Sequence, residues 1–193
     1  HLRLVDLMMP ASHDAGMCRN WTDNEWTVWY VEKTNWHPFG FMKEWIATQY
    51  VYILGQAEMG VRYFDVRPRW SSLNNAWAAS HRHNGFGGDG ETLKNIFDGL
   101  RYFLSQHKCE TVIVRLSHWD SSSDKQNVLN WIYAGYSNWL FKSDSDICLN
   151  EIRLGDGVRG KIVLVCDDCA GIFSRKVGSW GYCEDGKKAN YLN

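Results

Sequence analysis

Gly60-Val61-Arg62-Tyr63-Phe64-Asp65-Val66-Arg67 reads as a buried strand that ends in charge. Val61, Phe64 and Val66 are side chains that suit a pleated, covered surface, while Asp65 and Arg67, two apart, share one strand face. Reactive groups at the carboxyl tips of strands are the arrangement that α/β enzymes use. A second phrase, Pro10-Ala11-Ser12-His13-Asp14-Ala15-Gly16, follows a first strand read at residues 2–8, and a third strand at 76–80 delivers His81 and His83 in the same way.

Outward from these phrases the chain alternates. A helix is expected at about 37–58, with apolar Phe41, Trp45, Ile46 and Ile53, before the strand at 60–66. A Gly-rich loop covers 84–90. Residues 91–106 repeat Leu93, Ile96, Phe97, Leu100, Phe103 and Leu104 at amphipathic-helix spacing. A fourth strand at 112–116, a serine-rich turn at 121–123, a helix at about 125–139 and a fifth strand at 161–165 follow. Strands that alternate with helices predict an α/β protein with a parallel sheet.

With 193 residues, 45% of them apolar, residues 1–193 are enough for one core and one domain. The net charge of -1 and the lack of any Lys/Arg cluster argue against a nucleic-acid partner. No apolar run approaches the roughly 20 residues of a membrane-spanning helix. Most of the eleven tryptophans are read as core or groove residues, with Trp21, Trp26, Trp29 and Trp36 as the group to watch at a substrate or membrane rim. Six cysteines, at 18, 109, 148, 166, 169 and 183, and the acceptor sequon Asn20-Trp21-Thr22 point to an oxidising compartment, with glycosylation at Asn20. A start at His1 is what a processed, secreted chain shows; the rival reading is six thiols in a cytosolic enzyme. Cys166-Asp167-Asp168-Cys169 lacks a second pair at zinc-like spacing, so a disulfide involving Cys169 and Cys183 is the preferred expectation.

A histidine, an arginine and a further histidine leaving strand tips form an acid–base pair with a cation between them. That set suits phosphoryl transfer, in which one imidazole takes a proton, another returns one, and a guanidinium neutralises the charge that grows at phosphorus. Taken singly, each has a plainer reading: a solvated loop histidine, or an Asp–Arg ion pair at a strand end.

The two phrases, together with Gln56, a histidine ahead of Gly85, the segment 103–114 and Arg159-Gly160-Lys161-Ile162-Val163-Leu164-Val165, resemble in order and spacing the X domain of phosphatidylinositol-specific phospholipases C and the wider phospholipase-C-like phosphodiesterases. The resemblance implies a TIM-type (β/α) barrel, with His13 as general base and His83 as general acid. Asn84 separates His83 from Gly85, so His81 stays open as the alternative acid. It further implies Arg67 on the phosphate oxygens, Asp65 orienting Arg67 or His83, and Asp14 assisting the acid. Ser117, His118 and Asp167 fall where the family contacts the substrate ring. Asp14 and Arg67 stand where the calcium-dependent branch has other residues, so no metal and no other cofactor are expected. A whole barrel of eight units needs about 250 residues, and about five are read here. The chain is therefore expected to be the N-terminal portion of a longer domain, completed by a further C-terminal segment or an additional chain.

The implied activity is cleavage of phosphatidylinositol or a related (glyco)phospholipid at a peripheral membrane surface by a secreted enzyme, giving a cyclic phosphate and diacylglycerol. Two alternatives are a non-catalytic secreted glycoprotein using the barrel as a binding module, and a metal-dependent glycerophosphodiester or sphingolipid phosphodiesterase.

Overall fold

The structure, a computed structural model, describes residues 2–18, 46–72, 74–83, 86–142, 151–155, 157–166 and 178–179. Its frame is a five-stranded, all-parallel sheet in the order β1 (Ala11–Ser12), β2 (Tyr63–Val66), β6 (Thr111–Leu116), β7 (Lys161–Cys166) and β8 (Gly178–Ser179). Each strand pairs with the next of the set in chain order, so the sheet is wound in one direction. Between β2 and β6 comes a separate antiparallel sheet of β3 (Pro68–Ser71), β4 (Ala76–His83) and β5 (Phe86–Thr92).

Three helices cover one face: α1 (Ile53–Glu58), α2 (Leu93–Gln106) and α3 (Ser122–Tyr136). α2 starts where the Thr92 side chain accepts from the Asn95 amide, and it buries Leu93, Ile96, Phe97, Leu100, Phe103 and Leu104, the stripe read from the sequence. α3 starts where the Ser121 hydroxyl accepts from the Asp124 amide. Against these helices lie Phe64, Val66, Val114, Leu116 and Leu164, the outward set of the strands. The opposite sheet face carries Tyr63, Ile113, Val163 and Val165, closed from below by Leu4, Ile152 and Val158. Burying one such aliphatic side chain contributes about 1.5–3 kcal/mol, and both sheet faces do so. That is why the strands read as near-continuous apolar runs.

Several expectations change. Residues 2–8 do not form a strand. Leu4–Asp6 is a 3-10 turn, closed by Arg3 bonding the Asp6 carboxylate through both its amide and its guanidinium, and Leu4 plugs the inner cluster. The strand that delivers His13 is the two-residue β1. The strand read at 76–80 is real but antiparallel, paired with β3 and β5, and the Gly-rich segment after 85 is β5 rather than loop. Gly87 permits that hairpin: at φ +146 its missing Cβ would meet the His81 carbonyl oxygen at 2.1 Å. Residues 47–52 are not helical, which shortens the helix expected at 37–58; residues 37–45 lie outside the described segments. Ser122 and Ser123 belong to α3 instead of a turn. Among the described residues the parallel sheet has five strands, and β8, not the segment at 76–80, is one of them. Among the described residues no helix is long and apolar enough to cross a membrane. Cys18 and Cys109 are free, and the pair expected at Cys169 and Cys183 lies outside the described segments.

Candidate active site

β1, β2 and β6 end side by side. Strand alternation places Asp65 of β2 opposite Arg115 of β6, with Arg67 and Ser117 two residues further along each chain, while His13 follows β1 directly. Two carboxylates organise the cluster. Asp65 Oδ2 lies 3.3 Å from His13 Nδ1 and 3.7 Å from Arg67 Nη2. Its Oδ1 accepts from Ser117 Oγ at 3.1 Å and Arg115 Nη1 at 3.4 Å. Asp14 Oδ1 lies 2.7 Å from Arg67 Nε, and its Oδ2 lies 3.2 Å from His13 Nε2 and 3.8 Å from His81 Nε2.

The Asp14 side chain is fully buried, and no described N–H is aligned on either of its oxygens, so charge rather than a directed hydrogen bond holds this pairing. Burial pushes the Asp14 carboxyl above the ordinary carboxylate range, against the pull of Arg67, His13 and His81. By contrast, the His13 side chain is 68% exposed over these buried partners.

Hydrogen-bond roles fix one of the two imidazoles. His13 Nδ1 faces the Asp65 carboxylate, and its Nε2 lies between Arg67 Nη2, 3.3 Å away, and Asp14 Oδ2, 3.2 Å away. His81 Nδ1 donates to the Ile46 carbonyl at 3.1 Å, so Nε2 is the nitrogen that faces Asp14.

Local sequence explains how the loop is held. Asp14 adopts φ 47, a left-handed conformation that Asp tolerates better than most residues. The Ala15 amide donates to the Asp65 carbonyl at 2.8 Å and the Met17 amide to the Asp14 carbonyl at 2.9 Å. Gln49 Nε2 donates to the His13 carbonyl, Thr48 Oγ1 to the Asp14 carbonyl and Gln56 Nε2 to the Ala15 carbonyl. Gly16 brings β4 close: a Cβ there would stand 2.4 Å from Ala79 Cβ. The Ser80 amide donates to the Arg67 carbonyl at 2.8 Å, so the next residue, His81, arrives beside Asp14.

Of the residues singled out in the sequence, His13, Asp14, Asp65, Arg67 and His81 converge, and Ser117 with His118 borders Asp65. The backbone of His83 ends β4 two residues past His81; its side chain, Asn84, Asp167 and Asn20 lie outside what the structure describes. Arg115, Thr48 and Gln49 were missed. Arg115-x-Ser117 repeats the spacing of Asp65-x-Arg67, which was the available signal for Arg115. His13, Asp14 and Asp65 each offer a ligand atom within 4.8 Å of the others, the span a cation requires. The Arg67 guanidinium is within 3.7 Å of all three side chains.

No family model matches the sequence, and no curated protein matches it. Solved structures do. Phosphatidylinositol-specific phospholipase C from Listeria monocytogenes aligns with a TM-score of 0.62 at 23% identity, over 91% of this chain and 58% of that one. The fold is that of the phosphatidylinositol-specific phospholipases C. The enzyme of that name from Staphylococcus aureus gives 0.61 at 23% identity, over 98% of this chain and 55% of that one. PLC21 from S. officinalis gives 0.52 at 10% identity, over 86% of this chain and 18% of that one. The chain thus spans about half the length of the bacterial phosphatidylinositol-specific phospholipases C it matches. The resemblance drawn from the sequence holds at the level of the fold.

Proposed function

We propose that the protein is a phosphodiesterase that cleaves phosphatidylinositol or a glycosylated relative through a cyclic phosphate. The observation that carries this reading is the approach of His13, Arg67 and His81 to the one buried carboxylate of Asp14. His13 Nε2 takes the proton of the hydroxyl next to the phosphodiester as that oxygen bonds to phosphorus. Arg67 neutralises the charge on the non-bridging oxygens. The bond from phosphorus to the glycerol oxygen breaks, and that oxygen takes a proton from the imidazolium of His81, held by Asp14. The products are a cyclic phosphate and diacylglycerol, and His81 recovers its proton as His13 releases one.

The acid is assigned to His81 on the support of its Nε2, which faces Asp14 while Nδ1 donates to the Ile46 carbonyl; the side chain of His83, the other candidate, lies outside the described residues. A lipid substrate requires work at a membrane surface. The singly wound parallel sheet fits part of a (β/α) barrel. The test is turnover of phosphatidylinositol in vesicles, with and without chelator. Cyclic phosphate release that survives chelation and vanishes in His13→Ala is the expected result. No release by the wild-type chain would leave the non-catalytic reading, and release lost with chelator would overturn the role given to Arg67.

A further inference from the structure

Asp65 faces four partners, and two of them have no place in the proton transfers above. Ser117 is completely buried, and its hydroxyl stands between Asp65 Oδ1, at 3.1 Å, and His118 Nδ1, at 2.9 Å. A hydroxyl has one hydrogen. The ionised carboxylate is the stronger acceptor, so Ser117 donates to Asp65 and receives from His118 Nδ1–H. His118 is turned into this position by a left-handed backbone, φ 58, directly after β6. The result is a directed chain from His118 through Ser117 and Asp65 to His13.

We infer that Ser117, backed by His118, is a positioning residue that keeps Asp65 turned so that Oδ2 faces His13 Nδ1. The inference rests on the proposed role of His13 as base and assigns Ser117 and His118 a task other than contact with the substrate ring. The physical need is plain. Asp65 lies between two guanidiniums, with Arg67 Nη2 at 3.7 Å and Arg115 Nη1 at 3.4 Å, and either could draw the carboxylate away from the imidazole. Ser117 occupies the Oδ1 side with a short donor directly after β6 and leaves Oδ2 for His13. The titratable and charged groups that face His13 are Asp65, Asp14 and Arg67, so a change in Asp65 orientation registers at its ring.

The experiment is nitrogen NMR of the His13 ring in the wild-type chain and in Ser117→Ala, Ser117→Thr and His118→Asn, alongside kcat and KM on phosphatidylinositol. In the wild type the neutral ring is expected as the Nδ1–H tautomer. In Ser117→Ala it becomes a mixture of tautomers, and kcat falls about tenfold with KM unchanged, a loss typical of one orienting hydrogen bond. Ser117→Thr keeps the hydroxyl and restores the tautomer; His118→Asn, on the exposed side, moves it part of the way. An unchanged His13 tautomer in both Ser117→Ala and His118→Asn overturns the inference. If the wild-type chain turns over no phosphatidylinositol, the proposed activity falls, while the NMR comparison still decides whether Ser117 orients Asp65.

Discussion

Arg67 Nε stands 2.7 Å from Oδ1 of Asp14, a carboxylate without solvent exposure, and the same guanidinium reaches His13 and Asp65 through Nη2. One planar cation touches every acidic group in the site, which a lysine ammonium, a point charge on a flexible stem, cannot do. Arg67→Lys is therefore expected to lower kcat on phosphatidylinositol by about 10²–10³, the range seen when one preorganised donor to a developing oxyanion is removed. Steady-state kinetics check it. A loss confined to KM would mean that Arg67 binds the ground state and does not serve the transition state.

His81 and His83 separate by leaving group. With His81 as acid, His81→Ala is expected to abolish cleavage of phosphatidylinositol, whose glycerol oxygen must be protonated. The variant should retain much of its rate on an analogue with a nitrophenol leaving group, which departs without a proton. His83→Ala should keep both activities within a few-fold. The reverse pattern in paired assays on the two substrates would transfer the role to His83.

Gly16 is the seam between the His13–Asp14 loop and β4. A methyl there would lie 2.4 Å from Ala79 Cβ and 3.0 Å from Ile96 Cδ1, both in the core. Gly16→Ala is expected to destabilise the chain by about 1–3 kcal/mol, the usual cost of overpacking, and to displace His81 from Asp14. The pair Gly16→Ala with Ala79→Gly should regain part of the stability in urea melts, since it removes the nearest clash. Full additivity of the two losses would show that the seam is not where the strain sits.

Glu91 is buried where its carboxylate accepts from the Ile53 amide, at the start of α1, and lies 3.9 Å from Cys18 Sγ. Burial pushes its carboxyl up to about 7, against the pull of these two bonds. The unfolded chain releases this proton near pH 4.5 and the folded chain only near 7, so between those values the unfolded state binds fewer protons and stability falls as pH rises. Glu91→Gln keeps an acceptor for Ile53 and removes the titration. The variant should gain on the wild type from about pH 4.5 to 7, by roughly 3 kcal/mol in all, and no further above that. Denaturant midpoints across the pH range test it; a constant difference would place the Glu91 titration outside this window.

The alternating pattern of Leu93, Ile96, Phe97, Leu100, Phe103 and Leu104, and the apolar runs of β2, β6 and β7, were legible because helix and parallel-strand periods leave their mark in local order. His13, Asp14, Asp65 and Arg67 were legible because they leave strands at short, fixed offsets. The fate of residues 2–8 was not, since a 3-10 turn closed by Arg3 and Asp6 and a strand draw on the same apolar residues. Nor was the direction of β4, which depends on pairing with β3 and β5 across a glycine hairpin.

Local order thus dictated the strand–helix alternation, the helical faces and the types of group that would stand at the strand tips, because these follow from backbone period and side-chain chemistry. Only tertiary packing decided that His81 comes beside Asp14, that Arg115 and Ser117 meet Asp65, and that Asp14 is buried against Arg67. Those relations depend on which strands become neighbours and how closely Gly16 lets β4 approach, and long-range register of that kind is a property of the assembled sheets.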